Sequence, residues 1–224
     1  MKAMILAAGR GERMRPLTDT IPKPLLRVGG ECLIEYHLHA LARAGIVEVV
    51  INLGHLGEKI EALLSGGECY GLTIRYSHED DNILDTGGGI FHALPLMGSE
   101  PFLVINGDIY TDYPFDRLRT RQIPLAHVVM VANPNHHPQG DFYLSGDKVY
   151  EEGSPRFTFS GIGVYRPELF AGCSPGIFPL APVLCRAMAA GQVSGELYGG
   201  RWCDVGTPKR FNDLVESMEQ NAGH

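Results

Sequence analysis

Nowhere in the 224 residues does Gly-Lys-Ser or Gly-Lys-Thr occur, and Gly9-Arg10-Gly11 is followed by Met14 where a third glycine would be needed. The first absence excludes the G-x-x-x-x-G-K-[ST] phosphate loop, and the second excludes the dinucleotide fingerprint G-x-G-x-x-G. The five cysteines (Cys32, Cys69, Cys173, Cys185 and Cys203) are widely spaced and never form C-x-x-C. That spacing argues against a zinc ribbon or a disulfide framework and fits reduced thiols. No apolar run approaches the roughly 18 residues that span a bilayer. The N-terminus lacks the basic n-region and long h-region of a signal peptide. A soluble, cytoplasmic protein with no membrane partner is expected. Positive charge is also scarce: a net charge of -7 argues against a nucleic-acid partner, which would call for a basic stripe.

What is present is a composition ordinary for a globular chain, with 44% hydrophobic and 20% charged residues. The length suits one α/β domain, residues 1–224. The opening strand, Met1 to Leu6, runs into the loop LAAGRGERMRPLTDTIPKPL. Gly9 and Gly11 can bring bare backbone N–H groups close to a ligand. Arg13, Arg15 and Lys23, the last held between Pro22 and Pro24, supply cations just downstream. Such a loop points to a polyphosphate, most simply a nucleotide.

Beyond the loop, apolar spacing predicts a helix over 31–45, a buried strand over 48–53, a helix through Ile60 and Leu64, and a strand over 72–76. A helix over 88–96 and a strand over 102–105 follow, and the strand runs into Asn106-Gly107-Asp108. This alternation implies a Rossmann-like α/β fold, a mostly parallel sheet with helices on both faces. In the second half, 125–131 is a strand, whereas 142–144, 148–150 and 156–159 are short pieces that suggest a small antiparallel β lobe. Helices are expected over 181–190 and 208–220. No exposed apolar helix stands out, so a monomer is expected.

Asp108 ends a buried strand, where an acid needs a cation or a hydrogen-bond partner. It is either a turn residue or, beside a phosphate loop, a ligand of Mg²⁺, which takes one or two carboxylates plus phosphate oxygens. Asp204, in Trp202-Cys203-Asp204-Val205-Gly206-Thr207, is a second candidate, with helix capping as the alternative and Thr207 better placed for that. Asp85-Thr86-Gly87-Gly88-Gly89 reads as a glycine turn opening a helix, where a flat base could lie against backbone. His136 and His137 lie in a turn-rich loop and suit solvent or the edge of a substrate better than a metal. No Ser/His/Asp or Cys/His arrangement stands out, so in-line displacement at phosphorus fits these parts best.

The chain resembles the sugar-1-phosphate nucleotidylyltransferases through Leu6-Ala7-Ala8-Gly9-Arg10-Gly11-Glu12-Arg13 and Pro22-Lys23-Pro24. The likeness continues through GERMRPLT, LIEYHL, TGGGIF, the NGD turn, Gly140-Asp141-Phe142, FSGI and WCDVGT, and within the family it is greatest to short bacterial uridylyltransferases. The resemblance implies the nucleotide-diphospho-sugar transferase fold, with UTP and a sugar 1-phosphate as substrates. It implies that Gly9, Gly11, Glu12 and Arg13 wrap the triphosphate, and that Lys23 bridges the α-phosphate and the incoming sugar phosphate. Asp108 and Asp204 would hold Mg²⁺, and backbone near Ala8 and Gly88 would face the base. Asn106, Asp141 and Gly161 would line the sugar pocket, with Asn106 also touching the nucleotide and Asp204 the sugar phosphate. Glu12 departs from the Thr or Ser found there in much of the family. The rivals are a guanylyltransferase making GDP-sugars, which shares the RPLT…PKP spacing, and a glycosyltransferase, which would carry Asp-x-Asp where this chain has Asn-Gly-Asp.

Overall fold

The computed structural model describes residues 1–79 and 84–222. Strand β1 (Ala3–Leu6) leads into the glycine loop, and a ribbon of β2 (Arg27–Val28) and β3 (Glu31–Cys32) precedes helix α1 (Leu33–Arg43). Next come β4 (Glu48–Leu53), α2 (Gly57–Leu64), β5 (Thr73–His78), α3 (Asp85–Met97), β6 (Phe102–Asn106), β7 (Ile109–Thr111) and the short α4 (Asp116–Arg119). The second half holds β8 (Ala126–Val131), β9 (Phe142–Ser145), β10 (Lys148–Tyr150) and β11 (Arg156–Tyr165). It ends with α5 (Leu180–Ala189), β12 (Val193–Tyr198), β13 (Trp202–Asp204) and α6 (Pro208–Ala222).

Among the described residues nine strands form one mixed sheet in the order β5-β4-β1-β6-β11-β8-β12-β10-β9. The run β5, β4, β1, β6 is parallel, as the alternation predicts. Strand β11 then enters antiparallel between β6 and β8, and β12 lies parallel to β8. The β9–β10 hairpin closes the far edge, so the antiparallel pieces extend the main sheet.

Side chains alternate between two cores with the period of two that a strand imposes. Ala3, Ile5, Val49, Ile51, Leu103 and Ile105 face the core under α1 and α2. Met4, Val50, Phe102 and Val104 face the core under α3 and α5. Both faces being covered is why these strands read as continuous apolar runs. A third cluster joins Met14 of the glycine loop to Leu26, Val28, Leu33, Val205 and Leu214, tying α6 to the loop.

The structure adds β2, β3, β7, α4, β12 and β13 to the elements read from the sequence, and two of the expected segments take another form. The piece expected at 156–159 is the start of the ten-residue β11. Its register shifts between Phe159 and Ile162, where Gly161 has φ +81°, and this bulge breaks the alternation that would have revealed the strand. The glycine triplet lies inside α3 instead of in a turn before it. Among the described residues no helix is long and apolar enough to cross a membrane.

Candidate active site

The glycine loop is held in shape from below. Gly11 has φ +63°, and its carbonyl accepts hydrogen bonds from Met14 N and Thr18 Oγ1, each at 2.8 Å. Met14 is fully buried and pins the short 3₁₀ turn Glu12–Met14. The position that the dinucleotide fingerprint reserves for glycine is here an apolar anchor. Pro22 and Pro24 flank Lys23, which is 8% exposed, and its Nζ donates to Asp108 Oδ2 at 2.7 Å. Asp108 is brought there by the turn after β6, where Gly107 N donates to Leu6 O at 2.9 Å. The loop and the acid therefore meet beyond the carboxyl ends of β1 and β6, where ligands of such sheets bind.

Asp204 arrives from β13. The β7–β13 ribbon sets Asp204 opposite Ile109, and Val205 N donates to Asp108 O at 2.9 Å. Asp204 Oδ2 accepts from Arg210 Nη1 at 3.0 Å, and His136 Nε2 lies 3.4 Å from the same oxygen. Behind Asp108, the imidazole of His37 is wholly buried beside the backbone of Ile109. Burial pushes its pKa down to about 4 against the opposing pull of that backbone group and of Asp108, so it is neutral at pH 7.

Two clefts flank this centre. One of about 230 Å³ is lined by Ala8, Gly9, Gly11, Lys23, Asn52, Glu79, Asp85 and Thr86. The other, about 270 Å³, is lined by Arg13, His136, Asp141, Trp202 and Asp204. Asn106 and Asp108 line both, so the clefts meet there.

Most of the residues expected at the site converge on these clefts. Arg13 faces the second cleft, and its guanidinium makes no ion pair among the described residues. Asp141 also lines that cleft, its carboxylate held by His137 Nε2 at 3.0 Å and Phe159 N at 2.8 Å. Gly161 lies against Asn106, since a Cβ there would come within 2.7 Å of that side chain. Glu12 is exposed, lines neither cleft and pairs with neither Arg13 nor Arg15 among the described residues; Arg15 pairs with Asp19. Gly88 lines neither cleft, and the space where its Cβ would stand is taken by the carbonyl oxygen of Gly176, 2.3 Å away.

Sequence reasoning missed a buried relay beneath the first cleft. Asn52 Oδ1 accepts from Ala7 N at 2.7 Å, and Asn52 Nδ2 donates to Glu79 Oε1 at 2.6 Å. The other oxygen of Glu79 accepts from Leu84 N at 2.9 Å. A polar residue near the end of an apolar strand, Asn52 in Val49-Val50-Ile51-Asn52-Leu53, was the available signal. Trp202, whose Nε1 donates to Ser160 O at 2.8 Å, and Arg210 were missed as well.

The pair Asp108 and Asp204 suits a hard divalent cation. Each gives one oxygen to a cationic side chain, and each keeps Oδ1 without a hydrogen-bond or ion-pair partner among the described residues. No group of three or more His, Cys, Asp or Glu that could hold a metal gathers among those residues. Two carboxylate oxygens would leave the rest of the shell of such a cation to other oxygen donors.

The sequence profile of the nucleotidyl transferase family matches residues 2–151. This chain belongs to that family. It is 50% identical over 222 residues to the N-acetylmuramate alpha-1-phosphate uridylyltransferase of Neisseria meningitidis serogroup B, covering 95% of this chain and 96% of that one. A protein of the same name from Caulobacter vibrioides is 35% identical, with 92% of each chain covered. The mannose-1-phosphate guanylyltransferase catalytic subunit beta of Danio rerio is 31% identical over 94% of this chain and 62% of its own. Among solved structures, a Bacillus anthracis protein described as a glucose-1-phosphate thymidylyltransferase superposes with a TM-score of 0.87. It covers 97% of this chain and 95% of its own at 21% identity, which shows the shared fold.

Proposed function

We propose that this nucleotidyl transferase moves a uridylyl group from UTP to N-acetylmuramic acid α-1-phosphate, releasing pyrophosphate and UDP-N-acetylmuramic acid for the recycling of peptidoglycan. The observation that carries the reading is the meeting of two clefts at Asn106 and Asp108 with Lys23 fixed beside them. The 50% identity to a uridylyltransferase of that specificity favours UTP over GTP. The protein acts as a single-domain monomer in the cytoplasm, a place that suits its five free thiols.

UTP lies in the first cleft, its base toward Asn52 and Glu79 and its phosphates toward the glycine loop. The sugar phosphate lies in the second, among Asp141, Gly161 and Trp202. An oxygen of the sugar phosphate attacks the α-phosphorus, the bond to the bridging oxygen breaks, and its electron pair leaves with pyrophosphate. A phosphate monoester is largely dianionic at neutral pH, with its second pKa about 6, so no side chain has to remove a proton. Asp108 and Asp204 would hold Mg²⁺, which when bound supplies positive charge to the phosphates. Lys23 stabilises the charge gathering between the two phosphates, and Arg13 takes up that of the departing pyrophosphate. Lys23 is desolvated and already positioned, so little reorganisation is needed as the charge develops.

Pyrophosphate release should require UTP, Mg²⁺ and N-acetylmuramic acid 1-phosphate together. Full turnover with GTP and mannose 1-phosphate but none with UTP would refute the assignment. Lys23→Met should lower kcat by about 10²–10³-fold in a folded protein, and a near-normal kcat would remove Lys23 from the chemistry.

A further inference from the structure

Arg210 lies on α6, outside the glycine loop and the NGD turn, yet its guanidinium reaches Asp204, one of the two carboxylates. Its Nη1 donates to Asp204 Oδ2 at 3.0 Å, while the side chain is 16% exposed. Its Nε is buried with no hydrogen-bond partner among the described residues, so the charge is largely stripped of water and acts on its neighbour at close range. Gly206 makes room for this contact: a Cβ there would lie 2.1 Å from Arg210 Nη2 and 2.8 Å from Asp204 Oδ1. Gly206 is not in the left-handed region, so the space it leaves is its contribution. The helix behind is fixed by Leu214, buried in the same cluster as Met14 and Val205.

We propose that Arg210 is a positioning residue for Asp204: it grips Oδ2, leaves Oδ1 as the oxygen offered to a divalent cation, and balances the charge of the carboxylate. With Lys23 on Asp108 and Arg210 on Asp204, two carboxylates face two cations. The centre therefore has little net attraction for a divalent ion by itself. The ion enters with the triphosphate, whose charge tips the balance. This rests on the reading of Asp108 and Asp204 as the cation's ligands.

The test is Mn²⁺ binding to the intact protein without nucleotide, followed by electron paramagnetic resonance of the free ion. Removing the Arg210 charge should tighten that binding about tenfold or more, as Coulomb's law gives for a unit charge near a divalent ion at short range in a water-like dielectric. Arg210→Gln and Arg210→Met should both show the gain, whereas Arg210→Lys, which keeps the charge, should bind Mn²⁺ like the parent. In the glutamine variant kcat should fall while the KM for the sugar phosphate stays within about twofold. If Arg210→Met does not fold, Arg210→Gln decides. A folded Arg210→Gln protein with parental Mn²⁺ affinity overturns the proposal, and it leaves the cation reading intact if Asp204→Asn still loses Mg²⁺-dependent turnover. An Arg210→Gln/Asp204→Asn double variant should lose the gain. If the gain persists there, Asp204 is not a ligand, and both the proposal and the reading beneath it fail.

Discussion

Met14→Ala tests how the glycine loop is held without touching any group that meets a substrate. Met14 is fully buried and packs with Leu26, Val28, Leu33, Val205 and Leu214. Truncating a buried methionine to alanine costs about 2–5 kcal/mol. At a central ~3 kcal/mol, a domain of this size should lose roughly 6–12 °C in Tm. The 3₁₀ turn itself is held by few backbone bonds, Met14 N to Gly11 O at 2.8 Å and Arg15 N to Glu12 O at 3.3 Å. The lost packing therefore falls partly on the loop. If half of it does, the ratio of binding-competent to open loop falls about tenfold and the KM for UTP rises by up to that factor. Met14→Leu conserves volume and should keep both values near those of the parent, at under about 1.5 kcal/mol. Calorimetry and steady-state pyrophosphate release read the two effects separately. A Tm within 2 °C of the parent (about 1 kcal/mol or less) would refute the packing argument. A large Tm loss with an unchanged KM for UTP would show that Met14 stabilises the fold without holding the loop.

Two further outcomes follow from buried groups. His127 is fully buried on β8, with Nδ1 2.9 Å from Ser194 Oγ. Burial and Arg121 push its pKa down to about 4, with Glu196 opposing. The unfolded chain therefore binds the proton first, and stability falls as pH drops from about 6.5 toward 4 by at most about 3 kcal/mol, with no effect above that window. His127→Gln should flatten this dependence in urea unfolding at pH 7 and pH 4.5, His37 supplying the remainder; a variant with the parental pH slope would sink the argument. Gly161→Ala would put a Cβ at φ +81°, 2.7 Å from the side chain of Asn106. It should lose about 1–3 kcal/mol of stability and raise the KM for the sugar phosphate more than that for UTP. Equal rises in the two KM values would show that Asn106 serves both clefts alike.

Where the sequence was legible, one physical pattern spoke for itself. The run Glu48 to Leu53 is apolar because β4 is covered on both faces, and the strand occupies those residues. Lys23 was legible as a cation of the glycine loop and Asp108 as an acid ending a buried strand that needs a cation, and the two prove to be 2.7 Å apart. β11 was not legible beyond Phe159, because the bulge at Gly161 cancels its period. At Gly88 a glycine reports only that something comes close, and the sequence does not say what; the Gly176 carbonyl takes the space of its Cβ.

The same ambiguity explains why the cations of this centre were unequally visible. Arg13 and Lys23 stand in one loop, and their clustering along the chain announced an anion site. Arg210 sits in an amphipathic helix among Lys209 and Asp213, where charges normally face water, and Lys209 and Asp213 do form an exposed i,i+4 pair. Nothing local separates Arg210 from them. What separates it is Gly206, four residues earlier, which clears the path for the guanidinium to reach Asp204. A residue made functional by the space beside it carries its signal in a different residue, here one turn earlier in the chain.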